Sequence, residues 1–149
     1  MEHIDQLFDK FGKDLRYYGI LKSSDKYTQG IDVSIYLSHQ PKIVESFNGP
    51  AVYFLSYQGV LHKIGQTANL HNRMFRQYKC ISNATNNRIR DYIKSGHPLQ
   101  VHYIPLKEHE INKFGYDLKT SYSSALEHQL LKEYKQIYDK LPDLNTMIK

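Results

Sequence analysis

The sequence predicts a small α/β domain of the α+β kind: a mostly antiparallel three-stranded sheet flanked by helices, with a helical arm in front of it. Three observations predict this. Two short apolar runs at 51–57 and 60–65 flank a Gly-containing turn, which is a hairpin pattern. Apolar residues at steps of three and four recur before and after the hairpin, which is a helix pattern. The 149 residues suffice for one domain with a real core and not comfortably for two.

In chain order, Ile4, Leu7, Phe8, Phe11, Leu15 and Tyr18 make one apolar stripe, predicting a first helix that Gly19 ends. Residues 32–37 alternate like a short strand. Asn48-Gly49-Pro50 is the best internal boundary, dividing an N-terminal helical arm (1–49) from the main unit (50–149). That unit opens with the hairpin. A helix over 69–79 follows, with Leu70, Met74 and Tyr78 on one face, and then a polar helix over 84–95 that Gly96-His97-Pro98 stops. Residues 99–106 read as a third strand, and a last helix runs over 124–140 on the stripe Leu126, Leu130, Tyr134, Ile137 and Leu141, before Pro142 turns the chain.

Charge is unevenly distributed. Residues 46–107 carry eight basic side chains (Lys63, Arg73, Arg76, Lys79, Arg88, Arg90, Lys94, Lys107) and one acidic one, Asp91, so this block points to a polyanionic partner. No apolar run approaches the roughly 20 residues that span a bilayer, and the first residues lack the pattern of a secretory signal. Cys80 is the single cysteine, which excludes an internal disulfide and a cysteine zinc site and points to a reducing, cytoplasmic setting. Phosphate-loop, nucleophile-elbow and zinc-protease strings are missing. Pro142-Asp143 follows rather than precedes Glu133-Tyr134-Lys135, so one nuclease pattern is in the wrong order. His62, His71 and His128 show no metal-ligand spacing.

The hairpin can be read further. A three-residue loop, Tyr57-Gln58-Gly59, pairs residue 56 with 60 and 53 with 63, and gives Gly59 the left-handed position such a loop wants. Tyr53 and Lys63 then become cross-strand neighbours, roughly 5 Å apart at Cβ. A two-residue turn at Gln58-Gly59 puts them on opposite faces. The three-residue loop is the expectation. Arg73, one turn into the next helix, reaches over the same face. Taken alone, Ser124-Ala125-Leu126-Glu127 reads as a capping box with Glu127 at the third helical position.

Together, Ala51-Val52-Tyr53, Lys63-Ile64-Gly65, Gln66-Thr67, Leu70, Arg73, Glu127, Pro142 and Asn145 resemble the GIY-YIG endonuclease superfamily over residues 50–146. Ala51 stands for the usual Gly of the first triplet. Lys63 replaces the usual Tyr of the second, as in some small restriction endonucleases of that superfamily. The resemblance implies a metal-dependent endonuclease of the type II restriction kind that hydrolyses phosphodiesters of double-stranded DNA. It further implies that Glu127 holds Mg²⁺ (or Mn²⁺), Arg73 neutralises the phosphate, and Tyr53 with Lys63 beside it activates water; Gly65 and Asn145 support the site. Because no room remains for a separate DNA-binding domain, base and phosphate contacts are expected from Gln66, Thr67, Arg76, Lys79, Asn83, Asn86, Asn87, Arg88, Arg90 and Lys94. Double-strand cleavage at a twofold site implies a homodimer. The alternative is a non-catalytic or regulatory nucleic-acid-binding module of the same fold.

Overall fold

The computed structural model describes residues 3–23, 31–34, 49–74, 84–106 and 121–145. Among these, helix α1 (Ile4–Phe11) leads through a short 3₁₀ turn to strands β1 (Arg16–Ser23) and β2 (Ile31–Ser34). The hairpin β3 (Ala51–Tyr57) and β4 (Val60–Thr67) comes next, followed by a short helical turn α2 (Leu70–Asn72), helix α3 (Ala84–Lys94), strand β5 (Leu99–Pro105) and helix α4 (Ser121–Tyr138). The sheet is antiparallel at every pairing, with the order β2-β1-β5-β3-β4. It has five strands rather than the expected three, because the N-terminal segment joins it through β1 and β2.

The expected first helix therefore stops short, at Phe11. Gly12 closes it with φ 57°, a conformation that costs glycine little. The stripe that continued to Tyr18 comes from a strand. A bulge between Tyr17 and Gly19 inserts one residue, so Tyr18 and Leu21, three apart, are both fully buried on one face. A bulged strand thus imitates helical spacing. The aromatic and β-branched run Tyr17, Tyr18, Ile20 is also better suited to a pleated sheet.

Two apolar layers sandwich the sheet. On one face Tyr18, Leu21, Tyr53, Leu55, Val101 and Tyr103 meet Leu70, Met74, Ile89 and Ile93 from α2, the residues just after it, and α3. On the other, Val52, Phe54, Leu61, Ile64 and Ile104 meet Ile4 and Leu7 of α1 and Leu130, Leu131 and Tyr134 of α4. Side chains of β3 are buried on both faces, from Ala51 to Ser56, as befits an interior strand.

The hairpin corrects the expected register. Tyr57 pairs with Val60, so the loop holds two residues, Gln58 and Gly59, both left-handed at φ 49° and 81°. These are the values of the tight turn whose twist matches the strands. Ser56 then pairs with Leu61 and Leu55 with Lys63, leaving His62 as an extra residue in a bulge. Tyr53 opposes Gly65, not Lys63. The bulge restores what the two-residue turn would have lost: Lys63, opposite Leu55, projects on the same face as Tyr53.

Gly59→Ala forces a Cβ into a left-handed turn position and should cost about 1–2 kcal/mol in chemical denaturation. The same substitution at Gly96 provides a positive-φ comparison away from the hairpin.

Candidate functional site

The sequence pattern of β4 builds one end of the site. β4 is an edge strand, so alternate backbone groups point outward with no strand to receive them. The C-terminal turn after α4 receives them instead. The Leu144 N–H donates to the His62 carbonyl at 2.9 Å. The Asn145 amide brackets Ile64: its Oδ1 accepts from the Ile64 N–H at 3.0 Å and its Nδ2 donates to the Ile64 carbonyl at 2.8 Å. The Gln66 N–H donates to the Glu127 carboxylate. Asn145 thus stands in for a neighbouring strand, and Glu127 is fixed beside it along one edge.

Glu127 is not a helix cap. Helix α4 begins at Ser121, earlier than expected, so no acidic residue lies in its first turn. Its carboxylate is half-buried, and burial raises its pKa above the ordinary value, against the opposing influence of Lys63, the Gln66 N–H, Arg73 and His128.

Lys63 is 8% exposed. Burial pushes its ammonium down to about 8; Glu127 opposes this, while Arg73 and Arg88 reinforce it. Near pH 8 a large share of Lys63 is therefore a neutral amine able to accept a proton. Tyr53 is 2% exposed and its ring lies across β4 at Gly65, where an added Cβ would collide with Cζ and Oη of the ring. Glycine is needed there because the ring occupies the space a side chain would take. Arg73, just past α2, is held by its N–H on the Asn69 carbonyl at 3.1 Å. Its Nε is buried without a hydrogen-bond partner. Electrostatically, Lys63, Arg73 and Glu127 form one group.

The expected contact surface fares unevenly. Gln66 is half-buried, and Lys94 is exposed in the last turn of α3. Thr67 is only 5% exposed; its Oγ1 donates to the Asn69 carbonyl and accepts from the Asn69 N–H, so it builds the turn into α2. Arg90 is 3% exposed, which removes it from any accessible phosphate-binding face. Asn86 and Asn87 lie near the start of α3, while Arg76, Lys79 and Asn83 fall outside the described residues.

Sequence reasoning missed the role of His62. Its Nε2 meets the Tyr92 hydroxyl at 3.2 Å and its Nδ1 lies 3.4 Å from Asp143 Oδ2, too long for a strong bond. Burial lowers its pKa, although Asp143 opposes this. Only the bulge explains why His62 and Lys63, adjacent in sequence, serve one face, and a bulge has no sequence signature at this position. On the opposite face, Tyr17, Ile20, Gln100 and His102 line a groove of about 380 Å³. Its one titratable imidazole, His102, is pushed by burial down to about 4 and stays neutral.

Among the described residues, no group of three or more His, Cys, Asp or Glu could enclose a metal ion. The donor chemistry here is one hard carboxylate, Glu127, with lone pairs remaining beyond its Gln66 bond. That suits a Mg²⁺ that keeps most of its waters and takes substrate oxygens. No described helix is long and apolar enough to cross a membrane.

No family model and no curated protein matches this chain. Its structure is similar to that of restriction endonuclease HPY188I in complex with product DNA, at a TM-score of 0.54 and 18% identity, covering 99% of this chain and 87% of that one. A variant of bacteriophage T4 EndoII is similar at a TM-score of 0.48 and 20% identity, covering 69% and 71%. The first likeness establishes a shared fold over nearly the whole chain.

Two outcomes check this geometry. Asn145→Asp replaces the donor facing the Ile64 carbonyl with an anion and should cost about 1–3 kcal/mol in urea unfolding, with faster exchange at the Ile64 amide. Lys63 carries a folded-state pKa of about 8 against 10.5 for the free side chain, so between those values the unfolded chain holds a proton that the folded one has shed. Stability contributed at this residue therefore rises with pH across that window. The stability advantage of Lys63→Met over the native protein should be largest near neutral pH and shrink as the pH approaches 10.

Proposed function

We propose that this protein is a DNA endonuclease of the GIY-YIG type, hydrolysing phosphodiesters with Tyr53, Lys63, Arg73 and Glu127. The observation that carries this reading is a buried lysine with a pKa of about 8, on the face that bears Tyr53 and in electrostatic contact with Arg73 and Glu127. A structural lysine gains nothing from such a place, since burial opposes its charge. A proton-accepting lysine needs it.

Phosphodiester hydrolysis is hard because negative charge accumulates on the phosphoryl oxygens and on a poor leaving group. Arg73 binds the phosphate; its buried, unpartnered Nε is a donor awaiting an anionic oxygen. The neutral Lys63 amine takes the phenolic proton of Tyr53, its diagonal neighbour across the β3–β4 pair. The resulting phenolate removes a proton from water as the water oxygen bonds to phosphorus. The bond from phosphorus to the leaving oxygen breaks, and solvent supplies that oxygen with a proton. Glu127 would hold the Mg²⁺ or Mn²⁺, which supplies positive charge at the oxygens where negative charge develops.

The restriction role belongs to the same proposal. One site per chain cuts one strand, so a double-strand cut at a twofold target calls for a homodimer, working on cytoplasmic DNA. Lys94 and Gln66, with Asn86 and Asn87, would supply contacts flanking the cut.

Supercoiled plasmid incubated with the protein and Mg²⁺ should yield nicked or linear product, and Glu127→Gln should abolish most of this while DNA binding and melting temperature stay close to native. Full cleavage by Glu127→Gln, or a native protein that binds plasmid but never cuts it with Mg²⁺ or Mn²⁺, contradicts the reading. Below about pH 8 the single-turnover rate should climb nearly tenfold per pH unit, then level off as the Lys63 amine becomes neutral.

A further inference from the structure

The turn that closes the edge of β4 also holds a second arginine. The Asp143 carbonyl accepts a hydrogen bond from Nη2 of Arg88 at 2.6 Å. Within the same turn, the Asn145 N–H bonds the Pro142 carbonyl at 2.9 Å, Leu144 reaches the carbonyl of His62, and the Asn145 amide brackets Ile64. His62 and Ile64 are the chain neighbours of Lys63. One four-residue turn therefore fixes both the strand around Lys63 and the guanidinium of Arg88.

A second tie comes from α3 itself. Tyr92 lies one helical turn beyond Arg88 on the same side, and its hydroxyl bonds His62 at Nε2. Arg88 and Tyr92 together register α3 against the bulge. Arg88 is exposed, and the Asp143 carbonyl uses one donor of a planar five-donor fork. The rest of that fork is geometrically suited to two oxygens of a phosphate. Arg73, whose Nε is buried without a hydrogen-bond partner, acts electrostatically on the same Lys63 as Arg88 does.

We propose that Arg73 and Arg88 form a two-guanidinium clamp on a single phosphate beside Lys63, Arg88 being a catalytic residue held by the C-terminal turn and not a peripheral contact along the DNA. The proposal rests on reading the site as one that acts on phosphodiesters. Arg73 donates from the half-buried side and Arg88 from the solvent side, so both meet the charge that grows on the phosphoryl oxygens. Among the described residues, the charged groups that act on Lys63 are Glu127, Arg73 and Arg88. The clamp thus places two guanidinium groups on the phosphate next to Lys63.

Inorganic phosphate alone tests the clamp without any cleavage. In an NMR titration, the guanidinium signals of Arg73 and Arg88 should shift along one binding curve, with exposed Arg16 as a comparison that does not follow it. Arg88→Gln should weaken phosphate binding about tenfold while the Ile64 amide signal keeps its native position. On duplex DNA the same variant should lower the single-turnover cleavage rate about 10²-fold while weakening Kd by no more than about tenfold. An Arg88 signal that ignores phosphate, or native phosphate affinity in Arg88→Gln, overturns the clamp and leaves Arg88 as a staple for the turn. A loss confined to DNA Kd overturns its catalytic role. If both arginines bind phosphate yet the native protein cuts no DNA, the phosphate clamp stands and the nuclease reading fails.

Discussion

Along the outer edge of β4, the His62 carbonyl, both backbone groups of Ile64 and the Gln66 N–H have no strand beside them, and the C-terminal turn and α4 satisfy them all. Most of the structure depends on this closure. A buried edge with orphaned amides would cost about 1–3 kcal/mol per group. An exposed edge would invite pairing with another chain. Here the cover is made by Leu144, Asn145 and Glu127, so sealing the sheet and placing a carboxylate beside Lys63 are one event. The chain's last described residues thereby become part of its centre.

The same closure explains how a lysine can be buried. Lys63 sits on the face of Tyr53 and Leu55, in a layer otherwise formed largely by apolar side chains. It remains there because Glu127 offsets part of the cost of its charge, and because the amine becomes neutral near pH 8. Glu127 is in turn raised by burial and moderated by Lys63, Arg73 and the Gln66 N–H. Neither group has its ordinary proton affinity, and each is perturbed by the other. Paired shifts of this kind suit proton transfer better than they suit stability.

Much of this was legible in the sequence. The hairpin, the polar helix stopped at Gly96-His97-Pro98, the strand after it and the last helix are found within a few residues of their expected places. Tyr53 and Lys63 were expected on one face, and they are, though by a different route. The expected three-residue loop is a two-residue turn, and the bulge at His62 compensates for the change in parity. Bulges were the illegible feature. At Tyr18 one made a strand look like the continuation of a helix; at His62 one hid the register and the adjacency of His62, Tyr92 and Asp143. An inserted residue leaves no local mark, since its position is set by what packs on both faces at once. Arg90 was misplaced for a related reason: charge alone predicts exposure, whereas the rotation of α3 against the sheet decides burial. In the sequence alone Glu127 reads as a capping residue as well as a site residue, and one turn more of α4 removes the capping reading.

The central claim is that Tyr53 and Lys63 share a face in order to move a proton, and not merely to pack. Tyr53→Phe removes one hydroxyl and leaves the ring over Gly65, so packing is nearly unchanged. The most direct measurement is the single-turnover rate of DNA cleavage by Tyr53→Phe and the native protein across the pH range in which Lys63 titrates. The account predicts a rate lower by about 10² or more at every pH, with DNA affinity preserved. Cleavage by Tyr53→Phe at the native rate throughout that range would contradict it.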